Sequence, residues 1–282
     1  METDHTSRVM WEAIERFHAL CYVAPQVRAQ GAAAGLKGFW MNYFATRAAP
    51  MGAVSAATVE STFFYYGPTR VRRAIPDAWQ FSTPEKVLEA RYRAMDQSLL
   101  SIFADSDRQA EMTQAAQIVR RAVEHCEPIG RPLFAGWADL DWPGDPHLDL
   151  WHGCTLLREY RNGNHLIALC GEGLGGCESV VSHAAAGGAP WAWVQHEAGW
   201  SQVDQDAAIE RLGHRGWLDN NGNITPDGIQ GRNRVESETN RLDRPIWDGI
   251  GDLPCQQLFG LMSSLCASLP PDDQLDWELY YD

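Results

Sequence analysis

The chain has 282 residues, of which 45% are hydrophobic and 21% charged. This is the composition of a globular protein long enough to form a sizeable core. Its net charge of −14 opposes binding to nucleic acid and to anionic membranes unless a local basic patch overrides it. No apolar run reaches the roughly 18 residues of a transmembrane helix, and the polar, acidic N-terminus lacks the apolar core of a signal peptide. We therefore expect a cytoplasmic protein.

The cysteine and histidine spacings favour neither a disulfide framework nor a metal site. The seven cysteines include no Cys-x-x-Cys pair, so buried thiols are the expected state. His147 and His152 are five residues apart, which does not place them on one helical face, and His196 has no second histidine four residues later. We predict no metal and no cofactor.

The first 125 residues predict helices throughout, because apolar residues recur at helical spacing and proline or glycine ends each run. One of them begins at Ser82–Glu85, where a hydroxyl cap is followed by a proline and an acid. Four prolines between residues 128 and 146 then predict a non-helical connection. The predicted helices are Met10–Tyr22, Leu36–Arg47, Ala53–Tyr66, the one from Ser82–Glu85 to about Phe103, and Arg108–His125.

The segment from His147 to His165 is the richest in polar groups that a buried helix has to accommodate. At 100° per residue, its apolar side chains cover most of the helix circumference. Arg158 and Arg161 fall inside this apolar arc, whereas His152, Thr155 and Glu159 form a separate narrow stripe. Burying a charge without a partner costs several kcal/mol, so the two arginines require counter-charges. A short Leu166–Cys170 segment and a glycine-interrupted helix through Val180–Ala186 are expected to follow.

The last third predicts the element order of a winged helix-turn-helix. A tight turn at Asn220–Gly222 between two short strands predicts the wing, a small β-hairpin. The predicted elements are helix Pro190–Ala198, a helix capped by Ser201 and ending at His214, strand Arg215–Leu218, strand Asn223–Thr225 and a helix from Pro226 to about Arg244. The predicted fold class is mainly α: a multi-helix N-terminal and central bundle with a C-terminal winged helix-turn-helix. The predicted segments are an N-terminal region at 1–135, central helices at 136–189, the winged helix at 190–269 and an acidic tail at 270–282.

The steps Leu212–Leu218 and Thr225–Gly228 resemble those that enter and leave the wing of MarR-type (multiple-antibiotic-resistance) regulators. The wider chain resembles an actinobacterial family of mostly uncharacterised helix-turn-helix proteins. The matching segments are GFWMNYFATRAAPMG (38–52), IPDAW (75–79), RPLF (131–134) and LWHGCTLLREYRNGNH (150–165). That family's central motif is Arg-Glu-His-Arg-Gly-Asp-Gly-His. This chain keeps Arg158, Glu159, Arg161 and His165 but lacks the Asp, so no role of the Asp carries over.

The resemblance implies DNA binding, but the charges of the predicted recognition helix oppose it. Asp204, Asp206 and Glu210 lie on that helix against Arg211, and the wing tip carries no basic residue. Since phosphate neutralisation supplies most non-specific affinity for DNA, we expect this surface to repel a duplex. DNA is therefore not an expected partner, and the winged helix is expected to serve packing or homodimer formation.

Two interpretations of Arg158 and Arg161 remain open from the sequence. Either they pair with acids of the N-terminal helices, for which Glu12, Glu15 and Glu60 are available, or they clamp an anionic ligand. In the second case His165 would assist, and large aromatic side chains would form the wall of the ligand pocket. These candidate wall residues are Trp40, Tyr43, Phe44, Phe63, Phe64 and Trp151.

An enzyme using the same pocket is the alternative, with His152 and Glu159 as an acid–base pair. They lie about 20° apart on one face but about 10 Å apart along the axis, so they could flank a substrate without touching. A binding protein for an aromatic or apolar molecule with an anionic group, in specialised metabolism or resistance, is the first hypothesis. The enzyme is second and a MarR-like transcriptional regulator third.

Overall fold

The computed structural model describes residues 3–271, which are mostly helical, and this confirms the predicted mainly α class. The α-helices, in chain order, are α1 (Thr3–Val23), α2 (Pro25–Ala33), α3 (Gly38–Ala48), α4 (Ala56–Phe63), α5 (Pro68–Arg72), α6 (Ala78–Phe81), α7 (Pro84–Ile102), α8 (Gln109–Val123), α9 (Pro132–Ala138), α10 (Pro146–Gly171), α11 (Gly176–Ala185), α12 (Gln202–His214), α13 (Pro226–Ile250) and α14 (Asp252–Cys266). A 3₁₀ turn at Ala49–Met51 follows α3, and a π-helical turn at Trp193–Glu197 precedes α12.

Hydroxyl caps begin several helices where the sequence places them. Thr83 accepts a hydrogen bond from the amide of Lys86 at the start of α7, and Pro84 occupies the first helical position. Ser201 caps α12 in the same way, and its own amide donates a hydrogen bond to the Asp204 carboxylate. Such caps satisfy amide groups that have no partner inside the helix. The predicted starts of α7 and α12 are confirmed.

The central helix is longer than predicted, because α10 runs without a break from Pro146 to Gly171. The sequence placed a separate short segment at Leu166–Cys170, after the glycine at position 163. Gly163 instead lies against the side chain of Arg131, where an added Cβ would approach Cγ to 2.8 Å. The glycine therefore permits close packing within the helix rather than ending it.

The C-terminal helices also differ from the prediction. α13 continues to Ile250, past the predicted end at Arg244, and contains Pro245. α14 was not predicted, and it packs against α1 and α8 with one face in the core. Its buried residues are Cys255, Leu258, Met262 and Leu265.

The hydrophobic residues form two cores that share α10 and α13. The larger core contains buried side chains of α1 to α4 and α7 to α9, the first half of α10, the end of α13 and α14. The smaller core contains the end of α10, α11, α12 and the first half of α13. The predicted segments follow one another along the chain, whereas each core is assembled from distant stretches, so their boundaries stay predictions.

The predicted wing is reduced to one antiparallel bridge, between Leu218 and Ile224. The turn between them has the expected glycine, with Gly222 at φ +79°. Within residues 215–225, Leu218 and Ile224 are the only residues paired in this way, so the predicted two-stranded hairpin is not confirmed. Within residues 3–271, no helix combines the length and the apolar content needed to cross a membrane. From residue 272 onward, the predicted acidic tail lies outside the described residues.

Candidate functional site

The side chains of α10 are buried on nearly all sides, as its residue pattern predicts. The helix packs against α1, α8, α9 and α13, which surround it. Trp151 and Cys154 are completely buried, and so are the polar residues His152 and Thr155. Each polar group on this helix therefore has to find its partner inside the protein.

Glu159 is the centre of a buried ion-pair cluster. Arg47 of α3 donates hydrogen bonds to both carboxylate oxygens of Glu159, at 2.9–3.1 Å, and Arg158 donates one at 3.0 Å. Burial alone would raise the pKa of Glu159, but Arg47 and Arg158 hold it below its ordinary value. Glu159 is therefore a carboxylate at neutral pH, and its charge neutralises the guanidinium groups around it.

Four of the predicted aromatic residues, Trp40, Tyr43, Phe44 and Phe63, lie around this cluster. Tyr43 accepts a hydrogen bond from Arg47 at 2.7 Å and another from the hydroxyl of Tyr66 at 3.0 Å. The Arg47 guanidinium lies 4.4 Å from the ring centre of Phe63, a cation–π distance. Trp40 and Phe44 pack on Tyr43 and on each other, at ring separations of 5.4–5.8 Å. These rings pack on one another and on Arg47, so their role as the wall of a ligand pocket stays a prediction.

Arg161 and His165 connect α10 to α13. Arg161 forms ion pairs with Glu236 and, at 2.5 Å, with Asp243. The Nδ1 atom of His165 lies 3.0 Å from the hydroxyl of Thr239. Burial, with Arg232 nearby, lowers the pKa of His165 to about 3, so its ring is neutral. These two residues hold two helices together through partners that lie more than 70 positions away in sequence.

Arg158 and Arg161 are thus both paired with carboxylates. Besides Glu159, Arg158 lies 3.7 Å from Glu15 of α1, one of the acids that the sequence offered. The acids paired with Arg161, Glu236 and Asp243, belong to α13, and nothing in the sequence indicated this pairing. The described contacts thus give each arginine a protein partner. A role of either arginine in clamping a ligand stays a prediction.

His152 lies in a box of aromatic rings, away from Glu159. Its Nδ1 atom is 2.7 Å from the Tyr92 hydroxyl, and the rings of Trp137 and Trp142 lie against it. Burial lowers its pKa to about 4. Among the described side chains, His152 and Glu159 share no hydrogen-bond partner, since the partners of Glu159 there are Arg47 and Arg158. Their pairing as acid and base stays a prediction.

A buried relay beside the Glu159 cluster joins α1 to α10. The Nδ1 atom of His18 lies 3.1 Å from the Thr155 hydroxyl, and its Nε2 atom lies 3.0 Å from the Tyr22 hydroxyl. Burial, with Arg158 and Arg91 nearby, lowers the pKa of His18 well below its ordinary value. The sequence shows His18 one turn before Tyr22, but it gives no reason to join either residue to Thr155.

Two further buried arginines, Arg47 and Arg91, were not among the site residues predicted from the sequence. Arg47 ends a run of mostly aromatic and apolar residues. A single cation in such a run was the sequence signal that could have indicated a buried charge. Arg91 of α7 is 2% exposed and donates hydrogen bonds to Thr46 at 3.0 Å and to the sulfur of Cys21 at 2.9 Å. Its guanidinium also lies 5.2 Å from the ring centre of Trp137. Both arginines use aromatic faces in place of water.

A partly enclosed cavity of about 140 Å³ lies where the end of α1 meets α2 and the start of α3. We call it the α1–α3 cavity. Most of its lining is apolar, and its polar groups are Tyr22, Arg28 and Asn42. The lining residues are Tyr22, Val23, Ala24, Val27, Arg28, Ala32, Leu36, Gly38, Phe39 and Asn42. Neither Arg158 nor Arg161 lines it.

The polar groups of the α1–α3 cavity differ in their burial and in their hydrogen-bond partners. The amide oxygen of Asn42 is buried without a hydrogen-bond partner, and it lies against Gly31, where an added Cβ would approach it to 2.1 Å. Arg28 is exposed at the rim, and no carboxylate among the described side chains, residues 6–271, forms an ion pair with it. Tyr22 connects the cavity to the His18 relay. The cavity therefore offers one acceptor inside and one cation at the rim.

A larger open groove of about 960 Å³ lies between the end of α10 and α13. Its floor includes Ile167 and Val235. Its charged residues occur as opposite pairs, for Glu172 contacts Arg234 at 2.6 Å and Glu238 contacts Arg241 at 2.6 Å. The groove is open to solvent, and these pairs leave it with no excess charge that would attract an anion.

Arg211 in α12 and Arg215, which directly follows the helix, are both held in ion pairs. Arg211 contacts Glu178 at 2.5 Å, and Arg215 contacts Glu172 at 2.8 Å. Glu172 also accepts from Arg234 at the start of α13. The cations nearest to the predicted recognition helix are thus already neutralised by acids of α10 and α11.

Comparison with known proteins gives one match. A family model described as a helix-turn-helix family matches residues 7–274. No curated protein and no solved structure matches the chain.

Proposed function

We propose, from the premise that the chain belongs to this helix-turn-helix family, that it binds a small aromatic molecule with an anionic group in the α1–α3 cavity. The observation that carries the proposal is the cavity itself, with an apolar lining, a buried acceptor and an unpaired cation at its rim. Its volume of about 140 Å³ is close to that of an engineered cavity, about 150 Å³, that holds benzene. A single six-membered ring therefore fits.

The proposal places the ligand away from the two arginines that the sequence suggested. Arg158 and Arg161 neutralise carboxylates of the protein, so an anion competing for them would have to displace Glu159 or Asp243 from a buried ion pair. Arg28 requires no such displacement. An apolar pocket with few polar groups at fixed positions is the usual form of a small-molecule site.

Benzoate is the probe that tests the proposal, with toluene as its neutral counterpart. We expect benzoate to raise the thermal unfolding temperature in a concentration-dependent manner, because a ligand that binds only the folded state stabilises it. Isothermal titration calorimetry then gives the dissociation constant. Absence of binding by both compounds at millimolar concentration would contradict the proposal.

Two neighbouring alanines of α2 provide a matched pair of variants. Ala32 lines the cavity whereas Ala33 does not, and both are exposed. Ala32→Trp is expected to fill the mouth of the cavity and abolish benzoate binding, while Ala33→Trp leaves it unchanged. Equal binding by the two variants would place the benzoate site elsewhere.

The family match favours a second candidate function, which is sequence-specific DNA binding. α12 begins at a capped turn and exposes one face, as a recognition helix does. Against it stand the ion pairs of Arg211 and Arg215, which would have to break before either arginine could contact a phosphate. Fluorescence anisotropy with the DNA upstream of the protein's own gene tests this candidate, with binding compared at about 50 mM and about 200 mM salt. Binding that is specific and falls steeply with salt supports it, and no binding at the lower salt removes it.

A further inference from the structure

The hydrogen bonds behind the α1–α3 cavity fix which way each proton points. The hydroxyl of Thr155 donates to the carbonyl oxygen of Trp151 at 2.9 Å, as buried threonines in helices commonly do. Its oxygen therefore accepts from His18, whose Nδ1 atom lies 3.1 Å away. A neutral imidazole carries one N–H, so the Nε2 atom of His18 is an acceptor.

The Tyr22 hydroxyl must then donate to His18, because Nε2 lies 3.0 Å from it and has no proton to give. Since its only proton is used in this bond, Tyr22 cannot act as a donor towards the cavity that it lines. The buried amide oxygen of Asn42, also in the lining, is an acceptor as well. Inside the rim, the cavity therefore presents two side-chain acceptors: the amide oxygen of Asn42, which has no hydrogen-bond partner, and the Tyr22 oxygen, whose proton is committed to His18.

We infer that the ligand carries a hydroxyl or amino group on its ring, which donates a hydrogen bond to this acceptor side while its anionic group meets Arg28. The inference rests on the proposed function, because it specifies the ligand of the same cavity. Its basis is the cost of leaving a buried acceptor without a partner, which a ligand with a donor removes and a ligand without one does not. The chemical class is a hydroxylated or aminated aromatic carboxylate.

The three positional isomers of hydroxybenzoate test the inference against the matching fluorobenzoates. Fluorine has nearly the volume of a hydroxyl group but cannot donate a hydrogen bond. We expect at least one hydroxybenzoate to bind about tenfold more tightly than its fluoro counterpart, as measured by titration calorimetry. Equal or tighter binding of every fluoro compound overturns the inference and shows that the amide of Asn42 or the Tyr22 hydroxyl presents a donor instead.

Two variants locate the effect. Asn42→Leu removes the acceptor and should abolish the preference for hydroxybenzoate over its fluoro counterpart, which is measured as the ratio of their two dissociation constants. Should Asn42→Leu fail to fold, Tyr22→Phe keeps the ring and removes the hydroxyl, and we expect it to reduce the same preference. A preference that survives both variants contradicts the inference.

The outcomes separate this inference from the proposed function. If benzoate binds and hydroxybenzoate gains nothing, the inference fails and the proposed function stands. If no benzoate derivative binds, the proposed function itself fails. Arg28→Gln, with Arg73→Gln as a control on another exposed arginine, shows in addition whether the anionic group lies at the rim, because about a tenfold loss is expected only for Arg28→Gln.

Discussion

The larger core and the smaller core hold their charges in opposite ways. In the larger core Glu159 binds Arg47 and Arg158, and the side chains of Glu159 and Arg47 are 0% and 3% exposed. Beside the smaller core, Glu172 also binds two arginines, Arg215 and Arg234, but their side chains are 33% and 56% exposed. The same residue types form both clusters, and only their access to water differs. The comparison therefore isolates burial as the variable that decides what an ion pair contributes.

The largest effect is expected from removing the acid at each centre. Glu159→Ala leaves two guanidinium groups with reduced counter-charge in the larger core, and breaking a buried pair in this way costs about 3–5 kcal/mol. Glu172→Ala leaves its arginines in water, where an ion pair is worth about 0–1 kcal/mol. The free energies of unfolding in urea measure both. Equal losses would show that burial does not distinguish the two clusters.

The sequence predicted those parts of the fold that depend on near neighbours. Local patterns predict the capped start of α12 at Ser201. They also predict the burial of Trp151, because apolar residues cover most of the circumference of α10. The partners of Glu159 and Arg161 do not, since Arg47 is 112 positions away from one and Asp243 is 82 from the other. Charge compensation was predictable as a requirement, but the identity of the partner depends on how helices pack.

The candidate site was less predictable than the fold for the same reason. The aromatic residues Tyr43 and Phe63, predicted as part of the wall of a ligand pocket, lie beside the buried cation Arg47, which was not predicted. The lining of the α1–α3 cavity comes from three helices, and no periodicity within one helix encodes how they pack together. Cavities arise where packing is incomplete, so they are properties of the assembled helices rather than of any one segment.

A smaller effect, of about 3 kcal/mol, is expected from acidification through His152 of the larger core. Its pKa falls from an ordinary 6.5 to about 4 because the ring is buried. Below pH 6.5 the unfolded chain takes up a proton that the folded protein does not, so stability falls as the pH drops towards about 4 and levels off below it. His152→Phe removes this group, and its unfolding free energy should fall less steeply across that window than that of the wild type. Parallel curves would exclude His152 as the cause.

The smallest effect is expected in the smaller core, where the contact at risk is steric. Gly231 of α13 faces Trp217, and an added Cβ would lie 1.9 Å from its Cζ2 atom. Gly231→Ala therefore forces the indole or the helix to move, which costs about 1–3 kcal/mol in a packed core. Gly213→Ala in α12 is the matched control, because nothing lies within 4 Å of its added Cβ.

For Gly213→Ala we expect no loss of stability and a gain of up to about 1 kcal/mol, since alanine favours a helix over glycine. Hydrogen exchange of the amides in α12 and α13, compared with those in α1, shows where the strain of Gly231→Ala appears. Faster exchange confined to α12 and α13 means that the smaller core opens by itself, while the buried ion pairs along α10 keep the larger core closed. Equal acceleration in α1 means instead that α10 and α13, which both cores share, couple them into one cooperative unit.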